Sequence, residues 1–104
     1  MELGRFSTNR DEIMAFARLW DAQPFHLSDA AAAASPLKEL SASGWHTLAL
    51  IARLLEENGP AFQGAKAVKW LKPLLPGVEM SVRLENGSAM LVDATGATVC
   101  EVVL

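Results

Sequence analysis

One stretch constrains the fold more than any other: Ala42-Ser43-Gly44-Trp45-His46-Thr47-Leu48-Ala49-Leu50-Ile51-Ala52-Arg53-Leu54-Leu55. After His46 only Thr47 and Arg53 interrupt it, so a helix here is apolar almost all round. A helix of that kind is buried on most sides and needs a surface that wraps it. Asn58-Gly59 supplies a left-handed stop, with Pro60 beyond. The apolar run at 48–55 is far too short to cross a bilayer, so no membrane partner is expected.

The wrapping surface is legible downstream, where the period falls to two. Ala67, Lys69 and Leu71 alternate with Val68, Trp70 and Lys72 before Pro73 and Pro76-Gly77 make a turn. Val78, Met80, Val82 and Leu84 alternate with Glu79, Ser81, Arg83 and Glu85, which is a half-buried strand. Asn86-Gly87 is a strong hairpin signal, 89–93 is the return strand, and Thr95-Gly96 turns the chain into a last strand over 98–104.

Upstream, 2–6 reads as a short first strand. Thr8 offers a hydroxyl cap with Asp11 three residues later, and Ile13, Phe16, Ala17 and Trp20 recur at helical spacing, predicting a helix over 9–19. Pro24 breaks it, and Ser28 caps a small alanine-rich helix over 29–34 that Pro36 closes. A strand, helices and then four strands make an α+β pattern. The expectation is a single domain over 1–104, an antiparallel sheet of about five strands wrapped around a long central helix.

Composition narrows the function. With 9 basic and 12 acidic residues the net charge is −3, which gives no electrostatic case for nucleic acid. The lone Cys100 excludes an intramolecular disulfide, and with two histidines it leaves little to hold a metal, so no metal or other cofactor is expected. The opening Met-Glu-Leu-Gly-Arg-Phe lacks the form of a signal peptide, which predicts a cytoplasmic protein.

The residues from 21 to 47 resemble the MaoC-like dehydratase family, which includes the (R)-specific enoyl-CoA hydratases. Trp20-Asp21-Ala22-Gln23-Pro24-Phe25-His26 is similar to the family's loop, with a proline three residues after the aspartate and a histidine two beyond that. Ala34-Ser35-Pro36, Ala42-Ser43-Gly44-Trp45-His46-Thr47 and Trp70-Leu71-Lys72-Pro73 with Pro76-Gly77 continue the likeness in the same order. The resemblance implies a hotdog fold, a homodimer with its acyl site at the interface, and a lyase acting on acyl-CoA or acyl-carrier-protein thioesters. That lyase adds water to a trans-2-enoyl thioester or removes it from a 3-hydroxyacyl one.

By the same resemblance, Asp21 and His26 are the catalytic pair holding a water, with Pro24 fixing the loop between them. Sequence does not say which takes the proton and which returns it. On spacing alone Asp21 reads as a cap and His26 as a satisfied polar residue. Gly44 offers a backbone N–H at the positive end of the helix dipole to the thioester oxygen, and Ser43 beside it tunes the site. Gln23 and Ser28 stand further out. Pro24, Phe25 and Trp45 are candidate pocket-lining residues. The set Trp45, Leu48, Ile51 and Ala52 reads first as core and second as an acyl tunnel, and Trp20 and Trp70 read as core. His46 faces away from the helix start in a structural role, and Cys100 is buried packing. Arg53, Lys66, Lys69 and Lys72 read as solvated surface, with coenzyme A phosphates as the alternative.

The chain departs from the family in three places. Asn86-Gly87 replaces a longer excursion between strands, which shortens the wall for an acyl chain and points to a small substrate or a more open groove. Lys38-Glu39 replaces a pair of small residues, often glycines, and Ala52 stands where the hydratases often have serine. The rival functions are a hotdog thioesterase and a non-catalytic acyl-binding or assembly module.

Overall fold

The computed structural model describes residues 1–60 and 62–104. Asn86 and Gly87 both take positive φ, 49° and 79°, the pair of left-handed residues that a tight two-residue hairpin demands. They turn β3 (Met80–Glu85) back as β4 (Ser88–Asp93), with Glu85 opposite Ser88. The next turn is built by one carboxylate: Asp93 Oδ1 accepts from the backbone N–H groups of Thr95 and Ala97 and from the Thr95 hydroxyl. Those bonds, that of Thr95 foremost, hold the Asp93 carboxyl at about 2. β5 (Thr98–Val103) follows and closes the meander.

The sheet has five strands, and every pairing is antiparallel. β1 (Glu2–Phe6) adds to β3 and β2 (Ala67–Trp70) adds to β5, giving the order β1-β3-β4-β5-β2. One face of this sheet holds α3 (Gly44–Asn58). The register sets a row across all five strands on that face: Gly4, Val82, Leu91, Cys100 and Trp70 stand opposite one another. Val82, Leu91 and Cys100 in its centre are fully buried against Ile51 and Leu55 of α3. At one end a Cβ on Gly4 would lie 3.0 Å from Leu54, and at the other a Cβ on Gly44 would lie 3.0 Å from the Trp70 indole. The helix therefore runs obliquely under the sheet, its C-terminal half beneath β1 and its start beneath β2.

α3 buries one face only. Ile51, Leu54 and Leu55 are core, whereas Trp45 is 60% exposed and Ala49, Arg53, Glu56 and Glu57 lie outward. The prediction of a helix buried on most sides is corrected here: the sheet covers a single side, and half-buried Leu48 and Leu50 form the margin. Nor does the helix end in a left-handed glycine, because Gly59 has φ −135° and simply extends the chain.

α1 (Arg10–Trp20) is capped by Asn9, whose Oδ1 accepts from the Glu12 N–H at 2.9 Å. The expected cap, Thr8, is instead buried, and its carbonyl accepts from the Gly77 N–H. Ser28 caps α2 (Asp29–Ala33) as the sequence predicts. Lys38 keeps a left-handed backbone, φ 65°, in the position where small residues were expected. A β-carbon there costs roughly 1–2 kcal/mol, and a glycine adds back part of that through chain entropy. Lys38→Gly is thus expected to stabilise the fold by about 0.5–1 kcal/mol, read as a higher denaturation midpoint at unchanged slope. No described helix is long and apolar enough to cross a membrane.

Candidate active site

Asp21 sits where α1 stops: its N–H still bonds to the Ala17 carbonyl, while its φ of −160° turns the chain away. Pro24 then opens a single 3₁₀ turn (Pro24–His26), a position its fixed φ suits. That turn drives His26 inward, to 6% exposure. Its Nδ1 lies 2.7 Å from the Ser41 carbonyl. A carbonyl only accepts, so Nδ1 carries a proton, and in the neutral form of the ring Nε2 is the nitrogen with the lone pair. Nε2 is 3.5 Å from Asp21 Oδ2, too far for a good direct bond and close enough for one water to serve both.

Ser43 holds the other side of the carboxylate. It is fully buried, and its hydroxyl donates to Asp21 Oδ2 at 2.7 Å. The same oxygen caps α3 by accepting from the Trp45 N–H at 3.2 Å. One serine therefore ties the loop aspartate to the start of the central helix. Asp21, His26, Ser43 and Gly44, drawn from two distant segments, are brought together.

Gly44 is the first residue of α3, so its N–H has no acceptor within the helix. It lines a cavity of about 360 Å³ with His26, Ala42, Thr47, Trp70 and Leu74. The positive end of the helix and the ring of His26 thus face one space. Pro24, Phe25 and Trp45 stand outside that lining. Pro24 is exposed, Phe25 packs edge-on against the His26 ring at 4.5 Å, and Trp45 points outward against Trp70. Gln23 is exposed and Ser28 is occupied as a cap.

The reading of Trp20 and Trp70 as core is corrected, since they are 70% and 47% exposed. Trp20 ends a helix whose buried side is carried by Ile13 and Ala17, and Trp70 ends the edge strand. The Trp70 indole N–H donates to the Gly44 carbonyl at 3.0 Å, a contact without a sequence signature because its acceptor is backbone. The Ser41 carbonyl that fixes the His26 tautomer is invisible to sequence for the same reason.

The remaining candidates play other parts. Cys100 is fully buried in β5, and burial pushes its thiol up to about 11, which keeps it inert. Lys69 and Lys72 reach Glu101 and Asp93, and Arg53 reaches Glu57. Among the described residues no group of three or more His, Cys, Asp or Glu side chains is gathered to hold a metal ion.

His46 stacks on Phe16, rings 4.5 Å apart and 8° from parallel, with Nδ1 buried and unpartnered. Burial holds its pKa below the ordinary 6.5, against a smaller opposing pull from Glu12. The unfolded chain therefore takes up this proton first as pH falls through 6.5, and the fold loses stability there. His46→Phe keeps the stack and removes the orphan nitrogen, so its melting temperature should fall less between pH 7 and pH 5 than that of the parent.

A model of the MaoC like domain matches residues 4–103. Among solved structures, the MaoC-like dehydratase from Rhodospirillum rubrum is similar at 28% identity and a TM-score of 0.83, over 98% of this chain and 84% of that one. The unliganded R-hydratase PhaJ1 from Pseudomonas aeruginosa gives 23% and 0.76, over 99% of this chain and 77% of that one. The (R)-hydratase from A. caviae involved in PHA biosynthesis gives 23% and 0.74, over 95% and 88%. No curated protein sequence matches closely enough to count. Since the match runs almost end to end, through the loop of Asp21, the helix of Gly44 and the strand of Trp70, the chain belongs to the MaoC-like domain family and has its hotdog fold.

Proposed function

We propose that the chain is a hydratase or dehydratase of acyl thioesters, adding water to a trans-2-enoyl thioester or removing it from an (R)-3-hydroxyacyl one. The observation that carries this reading is the gap between Asp21 Oδ2 and His26 Nε2, 3.5 Å wide, beside a cavity that the free N–H end of α3 also faces. Two acceptors at that spacing hold a water by both its protons. As the water oxygen bonds to C3 of the enoyl group, His26 Nε2 takes one proton, and the Asp21 charge steadies the imidazolium. Electron density moves onto the thioester oxygen, where the Gly44 N–H and the helix dipole meet it. The proton then passes from Nε2 to C2, which completes one water across the double bond.

The reacting atoms belong to the acyl group and the thioester, so the reading covers a coenzyme A or an acyl-carrier-protein thioester. A homodimer fits the surface: β2 is an edge strand with unpaired backbone, and exposed Leu37, Trp45, Trp70 and Leu71 cluster near it. The (R) configuration follows the solved hydratases that this fold is similar to.

The test is the ultraviolet absorbance of a short trans-2-enoyl-CoA mixed with the protein, with a thiol reagent in parallel. Loss of the conjugated band without free thiol supports the hydratase. Thiol release points to a thioesterase instead, and silence in both assays points to a binding module.

A further inference from the structure

Trp70 occupies a place that the hydration chemistry does not call for. It ends β2 on the sheet's inner face, and its indole lies across the start of α3. The ring is fixed from two sides. Its N–H bonds to the Gly44 carbonyl at 3.0 Å, and Trp45 backs it edge-on with centroids 6.1 Å apart. The absence of a side chain at Gly44 is what lets the ring come this close, since a Cβ would touch Cε2 and Nε1 at 3.0 Å. The indole is therefore a wall held by the helix it covers, and swinging it aside breaks a hydrogen bond.

The wall matters because the other way out is filled. An acyl chain growing away from His26 and Gly44 has two directions: between α3 and the sheet, or along the underside of β2. The first is solid core, with Ile51, Leu91, Val102 and Cys100 all at 0% exposure. The second is the cavity itself, a surface groove lined by Trp70 at the end of β2 and by Leu71 and Pro73 just beyond it. The groove has a volume of about 360 Å³, and an acyl chain lengthening on this side meets the fixed indole.

We infer that Trp70 sets the acyl length this site accepts, confining it to short-chain thioesters, and that shortening this one side chain admits longer ones. The inference rests on the hydratase reading for its substrate class, and its geometry stands apart from the proton chemistry. The hydrogen bond of Trp70 goes to the carbonyl of Gly44, so replacing the ring also disturbs the helix end that meets the thioester oxygen, and its effect on chain length is read as a ratio between substrates.

The experiment is a chain-length series, butenoyl-, hexenoyl-, octenoyl- and decenoyl-CoA, run on the parent, Trp70→Ala and Trp70→Phe. In the parent, kcat/KM should drop at least about tenfold from butenoyl to octenoyl, the scale on which a pocket rejects extra methylenes. Trp70→Ala should raise the octenoyl-to-butenoyl ratio by at least about tenfold, whatever happens to the absolute rate. Trp70→Phe, which keeps a ring and loses the donor, should fall between the two. Equal rates at all lengths in the parent overturn the inference, as does an unchanged ratio in a folded Trp70→Ala.

Calorimetric titration with saturated butyryl- and octanoyl-CoA reads the same preference as Kd, without chemistry. If no thioester is hydrated yet the parent prefers butyryl and Trp70→Ala does not, the hydratase reading fails and the length limit stands. If neither variant binds either thioester, or both bind them equally, the length limit falls.

Discussion

On the proposed mechanism, Asp21→Asn and His26→Ala are each expected to leave the protein folded and to lower kcat/KM for enoyl-thioester hydration by at least about two orders of magnitude. The two fail for different reasons. In Asp21→Asn the amide keeps a carbonyl oxygen for the Ser43 hydroxyl, 2.7 Å away in the parent, so the loop stays tied to α3. What it loses is the charge that steadies a protonated His26 across 3.5 Å. His26→Ala removes the proton acceptor itself and leaves the Ser41 carbonyl facing the cavity, where water can reach it. Because the two groups act on one water, the double variant should be barely slower than the worse single one. Circular dichroism and a melting curve beside the kinetics separate lost chemistry from lost fold. Near-parental rates in either folded variant would remove that residue from the mechanism.

Ile51→Ala is expected to cost about 3 kcal/mol, in the middle of the range for truncating a large buried aliphatic side chain. Ile51 is fully buried on the inner side of α3, beneath the same sheet face as Leu91 and Cys100. Neither side of that layer can close the hole, since α3 is held close to the sheet at Gly4 and Gly44. Small domains have about 5–15 kcal/mol in all, so the variant should lose a large share of its stability. Arg53→Ala on the outward side of the same helix, exposed in the parent, is the control and should shift the denaturation midpoint far less. Equal losses in the two would mean that α3 is not docked as described.

Most of this architecture is legible in the sequence, because period and turn chemistry are local. The alternation of Met80, Val82 and Leu84 and the Asn86-Gly87 pair announce a hairpin without reference to the rest of the chain. Asp21 and His26 are recognisable as a pair through the family resemblance of their loop, and the fold brings them within 3.5 Å. Local rules fail where two residues satisfy the same one. Thr8 and Asn9 are both good caps, and Thr8 is excluded because its side chain is packed inside while its carbonyl holds Gly77. They fail again for Trp20, Trp45 and Trp70. Hydrophobicity states that an indole gains by burial, yet a sheet with one helix has a single inner face, already filled by aliphatic residues. Contacts to backbone, such as His26 to Ser41 and Trp70 to Gly44, leave no mark in the sequence at all.

The strand order also fixes when the parts come together. β3, β4 and β5 are consecutive and joined by tight turns, so they assemble through the shortest loops the chain offers, which form fastest. β2 docks on β5 only after a much longer loop has closed, and β1 joins β3 across nearly the whole chain. The loop of Asp21 and the start of α3 lie inside the closure of β1 on β3, and Trp70 arrives with β2. The proposed active site is therefore expected to be the last part of the molecule to form, so that a chain stalled before that step carries a finished meander and an unassembled cavity.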